Sequence, residues 1–247
     1  MKIIDVSHHQ GIIDWDIVRK QDVNGVIVRA GYGKGNVDRY FTRNFGSVRG
    51  YDFPYVGVYW FSYAYTIDMA IREAEIISQM MKPYMDMLNL GVYFDWEYDS
   101  MQYMKKNGVN PNKTLITNMN LEFCRTVAKN GFIAGYYLNE DYKKNWIDVS
   151  RLKDYRQWYA RYSSKAKPEN AYLHQYSSQG KVKGIAGYVD MNKLLAPKTV
   201  YEVACEVLAG EWGNGVTRKN KLESAGYNYR EVQDMVNSLY HMQITGF

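Results

Sequence analysis

Apolar and polar positions along this chain repeat with two different periods. Short runs rich in β-branched and aromatic residues have the length and composition of strands: Lys2–Val6, Val26–Ala30, Tyr55–Tyr63, Gly91–Trp96, Ile133–Tyr137, Gln157–Arg161, Tyr172–Tyr176 and Gly187–Asp190. Between several of them apolar residues recur at helical spacing. Asp68–Met85 opens on a capping-type aspartate, and Pro111–Asn130 is followed by Gly131, placed to cap its C-terminus. Strands alternating with helices argue for parallel strands joined by crossovers, and about eight of them suggest a closed barrel. From Ile133 onward the strands lie too close together to leave room for full helices. The expected fold class is α/β: an irregular TIM-like (β/α) barrel with an incomplete helix ring.

The pattern changes after Leu195-Ala196-Pro197-Lys198. Thr199-Val200-Tyr201-Glu202 has the form of a capping box, and the helix it opens, Val200 to Ala209, would stop at Gly210. A second helix is expected from Thr217 to Ala225, ended by Gly226. Asn228-Tyr229-Arg230-Glu231 then caps a third, with Val232, Val236 and Leu239 on one face. Val203, Val207, Trp212, Leu222, Tyr227 and Val232 supply a small core. The chain thus divides into a barrel over 1–195 and a three-helix module over 199–241.

Composition narrows the function classes. Hydrophobic residues are 46% and charged residues 23% of the 247, enough apolar material for a sizeable core. The net charge of +5 is uneven: residues 1–197 carry 26 Lys/Arg against 20 Asp/Glu, and the remainder 5 against 6. No basic run or arginine stripe accompanies the charge, which argues against a nucleic-acid partner. No apolar stretch is long enough to insert into a membrane, and the first residues run directly into a strand, so no signal peptide is expected. Cys124 and Cys205 fall in different domains and read as reduced thiols without a disulfide, Cys124 as a buried small apolar residue. A monomer or weak oligomer is the expected state.

The chemistry concentrates in Gly91-Val92-Tyr93-Phe94-Asp95-Trp96-Glu97. With a period of two along a strand, Asp95 and Glu97 face the same side, their side-chain origins roughly 6–7 Å apart. Crowding two acids at the C-terminal mouth of a barrel raises the pKa of one, which suits a general acid. Lys2-Ile3-Ile4-Asp5 and Gly187-Tyr188-Val189-Asp190 also end in aspartates, so four carboxylates would converge on one face. Such a cluster could hold a hard cation, but the acids are not spaced as in a metal-binding loop. His8 and His9 are adjacent rather than at a ligand spacing, so no metal or other cofactor is expected. Aromatic residues are abundant, with 24 Tyr and 6 Trp. Tyr32, Tyr59, Trp60, Tyr63, Trp96, Tyr136, Tyr137 and Trp158 fall at or beside strand ends, where they either pack the barrel or line a sugar-binding groove.

Six short motifs, Asp5-Val6-Ser7-His8-His9-Gln10-Gly11, Phe61-Ser62-Tyr63-Ala64, Phe94-Asp95-Trp96-Glu97, Gly135-Tyr136-Tyr137, His174-Gln175-Tyr176 and Val189-Asp190-Met191-Asn192, occur in the order and at the spacing of a known family. Over about residues 1–195 the chain resembles glycoside hydrolase family 25, the muramidases common among phage endolysins and bacterial autolysins. The resemblance implies cleavage of the β-1,4 bond between N-acetylmuramic acid and N-acetylglucosamine in bacterial peptidoglycan. It implies Glu97 as general acid, Asp95 assisting the substrate's 2-acetamido group, and Asp5 and Asp190 fixing the pair. Tyr63 and Tyr137 match positions lining the family's substrate groove, and Tyr32, Gln175, His8 and Trp158 are further candidate substrate contacts. Trp96, where a small aliphatic residue is usual, and His9 depart from the pattern and bear on the shape of the groove. Leu208–Gly215 with Arg218, Leu222 and Ala225-Gly226-Tyr227 resembles a three-helix wall-binding repeat, in which Arg218, Trp212 and Tyr227 would contact the ligand. An enzyme made without a signal peptide would reach the wall after lysis or through a holin-type pore. Two other readings of the same residues are a catalytically silent wall-binding protein and a chitinase-like barrel glycosidase.

Overall fold

The protein is described by a computed structural model covering residues 2–165, 168, 170–195, 200–224 and 227–245. Two compact units form, Met1–Leu195 and Ala196–Phe247. In the first, strands β1 (Lys2–Val6), β2 (Gly25–Tyr32), β4 (Tyr55–Phe61), β5 (Gly91–Asp95), β6 (Ala134–Asn139), β7 (Arg156–Ala160), β8 (Leu173–Gly180) and β9 (Val189–Leu194) close into a barrel through the β1–β2 pairing. A two-residue strand, β3 (Asn36–Val37), lies against β2 outside the ring. Around the barrel run α2 (Phe41–Gly50), α3 (Ile67–Met81), α4 (Tyr98–Lys106) and α5 (Lys113–Lys129), after a single turn, α1 (Trp15–Val18). After β6 only short π and 3-10 turns remain, so the helix ring is incomplete on that side, as the close spacing of the later strands implies.

Two expectations need correction. The barrel is mixed rather than all parallel, because β9 runs antiparallel to both β8 and β1. The connection from β8 to β9 is too short for a helical crossover, and such a link permits only an antiparallel return. The helix expected at Asp68 is capped instead by Thr66, whose side chain accepts the Met69 N–H, and helical geometry passes into a 3-10 stretch at Lys82. Helices α2 and α4 also form, burying Phe41, Phe45 and Val48 on one and Met101 and Met104 on the other. Elsewhere the reading holds: Asn112 caps α5 through the Leu115 N–H, and Gly131 follows it at φ +89°.

The period of two along each strand divides the core. Ile3, Ile27, Tyr59, Leu90, Tyr93, Tyr137, Trp158, Ala160 and Leu173 pack together in the barrel interior. Their alternates, among them Ile4, Val28, Val58, Trp60, Val92, Phe94 and Tyr159, face the helices in a larger core. Gly135 makes room for the interior ring of Tyr93, since a Cβ there would lie 2.4 Å from it. Cys124 is buried in the outer core with its thiol donating to the Gly135 carbonyl, whereas Cys205 is exposed. No helix among the described residues is long and apolar enough to cross a membrane.

The second unit consists of α6 (Val200–Leu208), α7 (Gly215–Ser224) and α8 (Tyr229–Thr245) around Val203, Ala204, Val207, Leu222, Val232 and Val236. Trp212, Tyr227 and Leu239 pack against this core half-buried. Gly210 adopts φ +85° just past α6, as its expected stop position requires. The capping box at Thr199 and the stop at Gly226 lie outside the described residues.

Candidate active site

The interior positions change chemistry at one end of the barrel. Two residues beyond Ile3 comes Asp5, beyond Ile27 comes Arg29, and beyond Tyr93 comes Asp95, all on the same inward parity. Above the apolar interior these side chains line a cavity of about 190 Å³ with His9, Tyr59, Phe61, Glu97, Tyr137, Trp158, Tyr162, Gln175 and Asp190. Asp190 arrives there by the opposite route from the one expected. It stands at the start of β9, not the end of a strand, and reaches the mouth because β9 runs backward, pairing Asp190 with Asp5 across the ladder.

The four acids are arranged as two pairs. Asp5 and Asp95 are each 5% exposed, while Glu97 and Asp190 are only half-buried and open to the cavity. One Asp5 oxygen accepts from Gln175 Nε2 at 3.0 Å and Asn192 Nδ2 at 2.7 Å. Even so, burial first and the neighbouring Asp190 second push its carboxyl well above the ordinary range, outweighing those two hydrogen bonds. Asp190 is pushed up to about 6 by burial. Burial likewise raises Asp95 and Glu97, and their carboxyls hydrogen-bond each other. The two carboxyls therefore titrate as one pair, raised by burial and able to share a proton between them. Asp95 Oδ1 is buried and receives no hydrogen bond from an N–H or hydroxyl donor.

Facing the acids is a cation that strand parity could have revealed, Arg29. Its Nε and one terminal nitrogen donate to Asp38 Oδ2 at 2.9 and 2.7 Å. Burial would raise Asp38, but the Tyr40 amide, Arg29 and His8 prevail and hold it below the usual carboxylate range. His8 is bound by this group, to Asp38 at 3.0 Å and to Arg29, and does not line the cavity. His9, its rings 4.1 Å from those of His8, does, and burial with the neighbouring His8 and Arg29 lowers its pKa.

The aromatic candidates separate in the same way. Tyr137 lines the cavity and donates its hydroxyl to Gln175 Oε1 at 2.9 Å. Trp158 forms part of the floor, 1% exposed, with Nε1 donating to Asn192 Oδ1 at 2.8 Å. It thereby orients the amide that grips Asp5. Tyr63 stands one ring behind the cavity wall, packed edge-on against Phe61, Tyr32 and Tyr103. Tyr32 is exposed at the rim beside Arg29. Tyr162, absent from the sequence reading, contributes a 61% exposed ring to the cavity and reaches Gln175. Trp96 points away from the cavity into the outer core, with Nε1 donating to the Ala64 carbonyl at 2.9 Å. The unusual residue between the two acids therefore does not shape the groove.

In the second unit, Arg218 donates from Nε to the Gly213 carbonyl at 2.9 Å and from its terminal nitrogens to Asn214 and Gln233. Trp212 donates to Glu206 at 2.9 Å and stacks edge-on with Tyr227. These three residues hold the turn between α6 and α7 against α8.

Comparison with known proteins agrees with this geometry. The model of the CW_7 repeat matches residues 201–240. Over 108 residues the chain is 34% identical to the lysozyme of Streptococcus phage Cp-7, an alignment covering 44% of this chain and 28% of that one. The modular autolysin LytC of Streptococcus pneumoniae, solved with a synthetic peptidoglycan ligand, superposes with a TM-score of 0.66 at 30% identity, over 77% of this chain and 46% of its own. A family 25 glycosyl hydrolase from Bacillus anthracis shares the fold at a TM-score of 0.65 and 22% identity, over 82% and 92% of the two chains. The chain thus spans less than half the length of the first two relatives. The model described as Glycosyl hydrolases family 25 matches residues 4–185, most of the barrel with Asp5, Asp95 and Glu97 among its residues, and the chain belongs to that family.

Proposed function

We propose that this protein is an endolysin-type muramidase. It hydrolyses the β-1,4 bond between N-acetylmuramic acid and N-acetylglucosamine in bacterial peptidoglycan. The observation that carries the reading is the hydrogen-bonded Asp95–Glu97 pair in an open cavity at the barrel mouth, with one buried Asp95 oxygen left without a partner. An acetamido N–H donating to the Asp95 carboxylate favours its ionised form and leaves the pair's proton on Glu97. Glu97 then protonates the leaving glycosidic oxygen while the acetamido carbonyl oxygen attacks the anomeric carbon, and the C–O bond to the leaving sugar breaks. Water opens the resulting cyclic intermediate, giving its proton to Glu97 and restoring the acid with retained configuration. The charge of Asp190 favours the protonated form of Glu97, while Asp5 anchors the amides of Gln175 and Asn192 beside it. Tyr137, Tyr162 and Gln175 face the sugar, while Tyr63, Tyr32, Trp158 and His8 shape the walls from behind or at the rim.

The tail module binds the wall, with Trp212, Arg218 and Tyr227 serving that binding through the turn they hold. A single module gives modest affinity, which association of chains would multiply. Its substrate lies outside the membrane, and a likeness to phage lysozymes and endolysins supports action on the wall after release from the cell. Digestion of purified peptidoglycan tests the reading. New reducing ends should be N-acetylmuramic acid, and Glu97→Gln should abolish their appearance. Ends of N-acetylglucosamine, preference for chitin oligomers, or full activity of the variant would overturn it.

A further inference from the structure

Strands β4 and β5 remain in register up to Phe61 and Asp95, and beyond that pair the chain leaves the sheet. The next three residues, Ser62-Tyr63-Ala64, form a strap bound to the acidic triplet. The Ser62 N–H donates to the Asp95 carbonyl at 2.7 Å, and Trp96 Nε1 donates to the Ala64 carbonyl at 2.9 Å. Ser100 Oγ donates to the Ser62 carbonyl at 2.6 Å while accepting the Glu97 N–H at 3.0 Å. The Ala64 N–H closes on Ser62 Oγ at 3.0 Å. One backbone donor of the strap remains, the Tyr63 N–H, and its partner is Glu73 Oε1 on α3 at 3.3 Å.

Glu73 is an expensive acceptor. It is 2% exposed, and Oε2 has no partner. No Lys, Arg or His among the described residues forms an ion pair with it. A buried carboxyl in that condition is disfavoured against glutamine or an apolar residue unless it does something they do not. Behind it lies a cavity of about 270 Å³ lined by Lys34, Met69, Arg72 and Ile76. The charged groups facing it are therefore Lys34 from the β2–β3 turn and Arg72 from α3. The phenols of Tyr63 and Tyr103 stack together on the strap side.

We propose that Glu73 is a positioning residue, holding the strap so that Asp95 and Glu97 keep the geometry in which their proton can be exchanged. The inference rests on Glu97 being the general acid. Burial pushes Glu73 up to about 8 against the opposing Ser62 and Tyr63 hydrogen bonds, so the carboxyl that grips the strap at neutral pH is the uncharged one.

The test uses the full chain and soluble peptidoglycan oligosaccharides. Glu73→Ala should lower kcat about 10- to 100-fold with KM within about twofold, the scale expected when catalytic groups are misplaced by about an ångström. Glu73→Gln, which keeps an acceptor and stays neutral, should restore most of that loss. Ser100→Ala should resemble Glu73→Ala, and the double variant should lose little more than the worse single, because both act through one strap. Loss of thermal stability with kcat intact well below Tm, or multiplicative losses in the double variant, would overturn the proposal. Should Glu73→Ala not fold, the Tyr63 amide resonance decides. In the wild type it should titrate near pH 8 together with a step in kcat, and in Glu73→Gln both should vanish. A kcat step that persists in Glu73→Gln rejects the positioning role. An inactive Glu97→Gln beside a normal Glu73→Ala sinks this inference alone, whereas an active Glu97→Gln sinks the functional reading with it.

Discussion

The barrel mouth and the tail module treat their polar groups in opposite ways. At the mouth, carboxyls crowd until burial and mutual repulsion raise them, and Asp95 Oδ1 is left without a partner, as is Glu73 Oε2 behind the strap. In the tail, Arg218 donates to three internal acceptors and Trp212 to a fourth. Unused hydrogen-bonding capacity in a buried place is what a substrate can complete, whereas a fully engaged arginine holds its own fold together. Residue type alone does not distinguish the two cases.

The sharpest way to break the comparison is Glu97→Gln. It should lower kcat on peptidoglycan by about 10³-fold, within the range for a general acid, while Tm holds or rises because one crowded carboxyl is gone. Asp95→Asn should cost about 10²-fold with a similar gain in Tm; falling Tm in both would show that the mouth is built for stability after all. A second contrast concerns pH. Below about 4.5 Glu73 is protonated whether the chain is folded or not. Between there and about 8 only the unfolded chain releases the proton, so stability falls as pH rises, and the loss is complete above the folded value. Glu73→Gln lacks this loss, so its advantage in Tm over the wild type should widen from pH 5 to 8, with a ceiling of about 5 kcal/mol at about 1.4 kcal/mol per pH unit. Calorimetry at several pH values checks it.

In the tail, Arg218→Ala should destabilise the module by roughly 1–3 kcal/mol and weaken retention on cell walls, leaving cleavage of soluble oligosaccharides unchanged. The smallest effect expected is at Asp190. Its charge helps to raise Glu97, so Asp190→Asn should move the alkaline limb of kcat to lower pH; an unmoved limb would remove Asp190 from the electrostatics of the pair.

Much of the barrel was legible because strand periodicity carries both its packing and its chemistry. The same parity that buries Ile3 and Tyr93 delivers Asp5 and Asp95 to the mouth. It also delivers Arg29, which escaped notice because a lone basic residue near a strand end looks like surface until Ile27 fixes its face. Asp190 was expected at the mouth through a mistaken strand direction and lies there by the opposite one, since direction depends on which neighbour β9 pairs with, a long-range choice that local pattern does not encode. The assignments to His8 and Tyr63 each missed the cavity lining by a residue or two, His9 and Phe61 taking those places. In both cases a 3-10 turn or a strand end decides which side chain faces inward. Of the expected tail core, Val203, Val207, Leu222 and Val232 are buried as read, whereas Trp212 and Tyr227 pack only half-buried at its edge and Ala204 and Val236 complete it.

The bond from Asn192 to Asp5 joins positions 187 apart in the chain. During synthesis, Asp5, Asp95 and Glu97 all emerge long before the strand that closes the ring, and none of them is held as in the finished cavity until that strand docks. Contacts of such separation form late, because closing so long a loop costs entropy that few earlier contacts repay. A nascent chain interrupted before Val189 therefore lacks both Asp190 and the amide that grips Asp5, and the ring of acids is completed only by the last strand of the barrel.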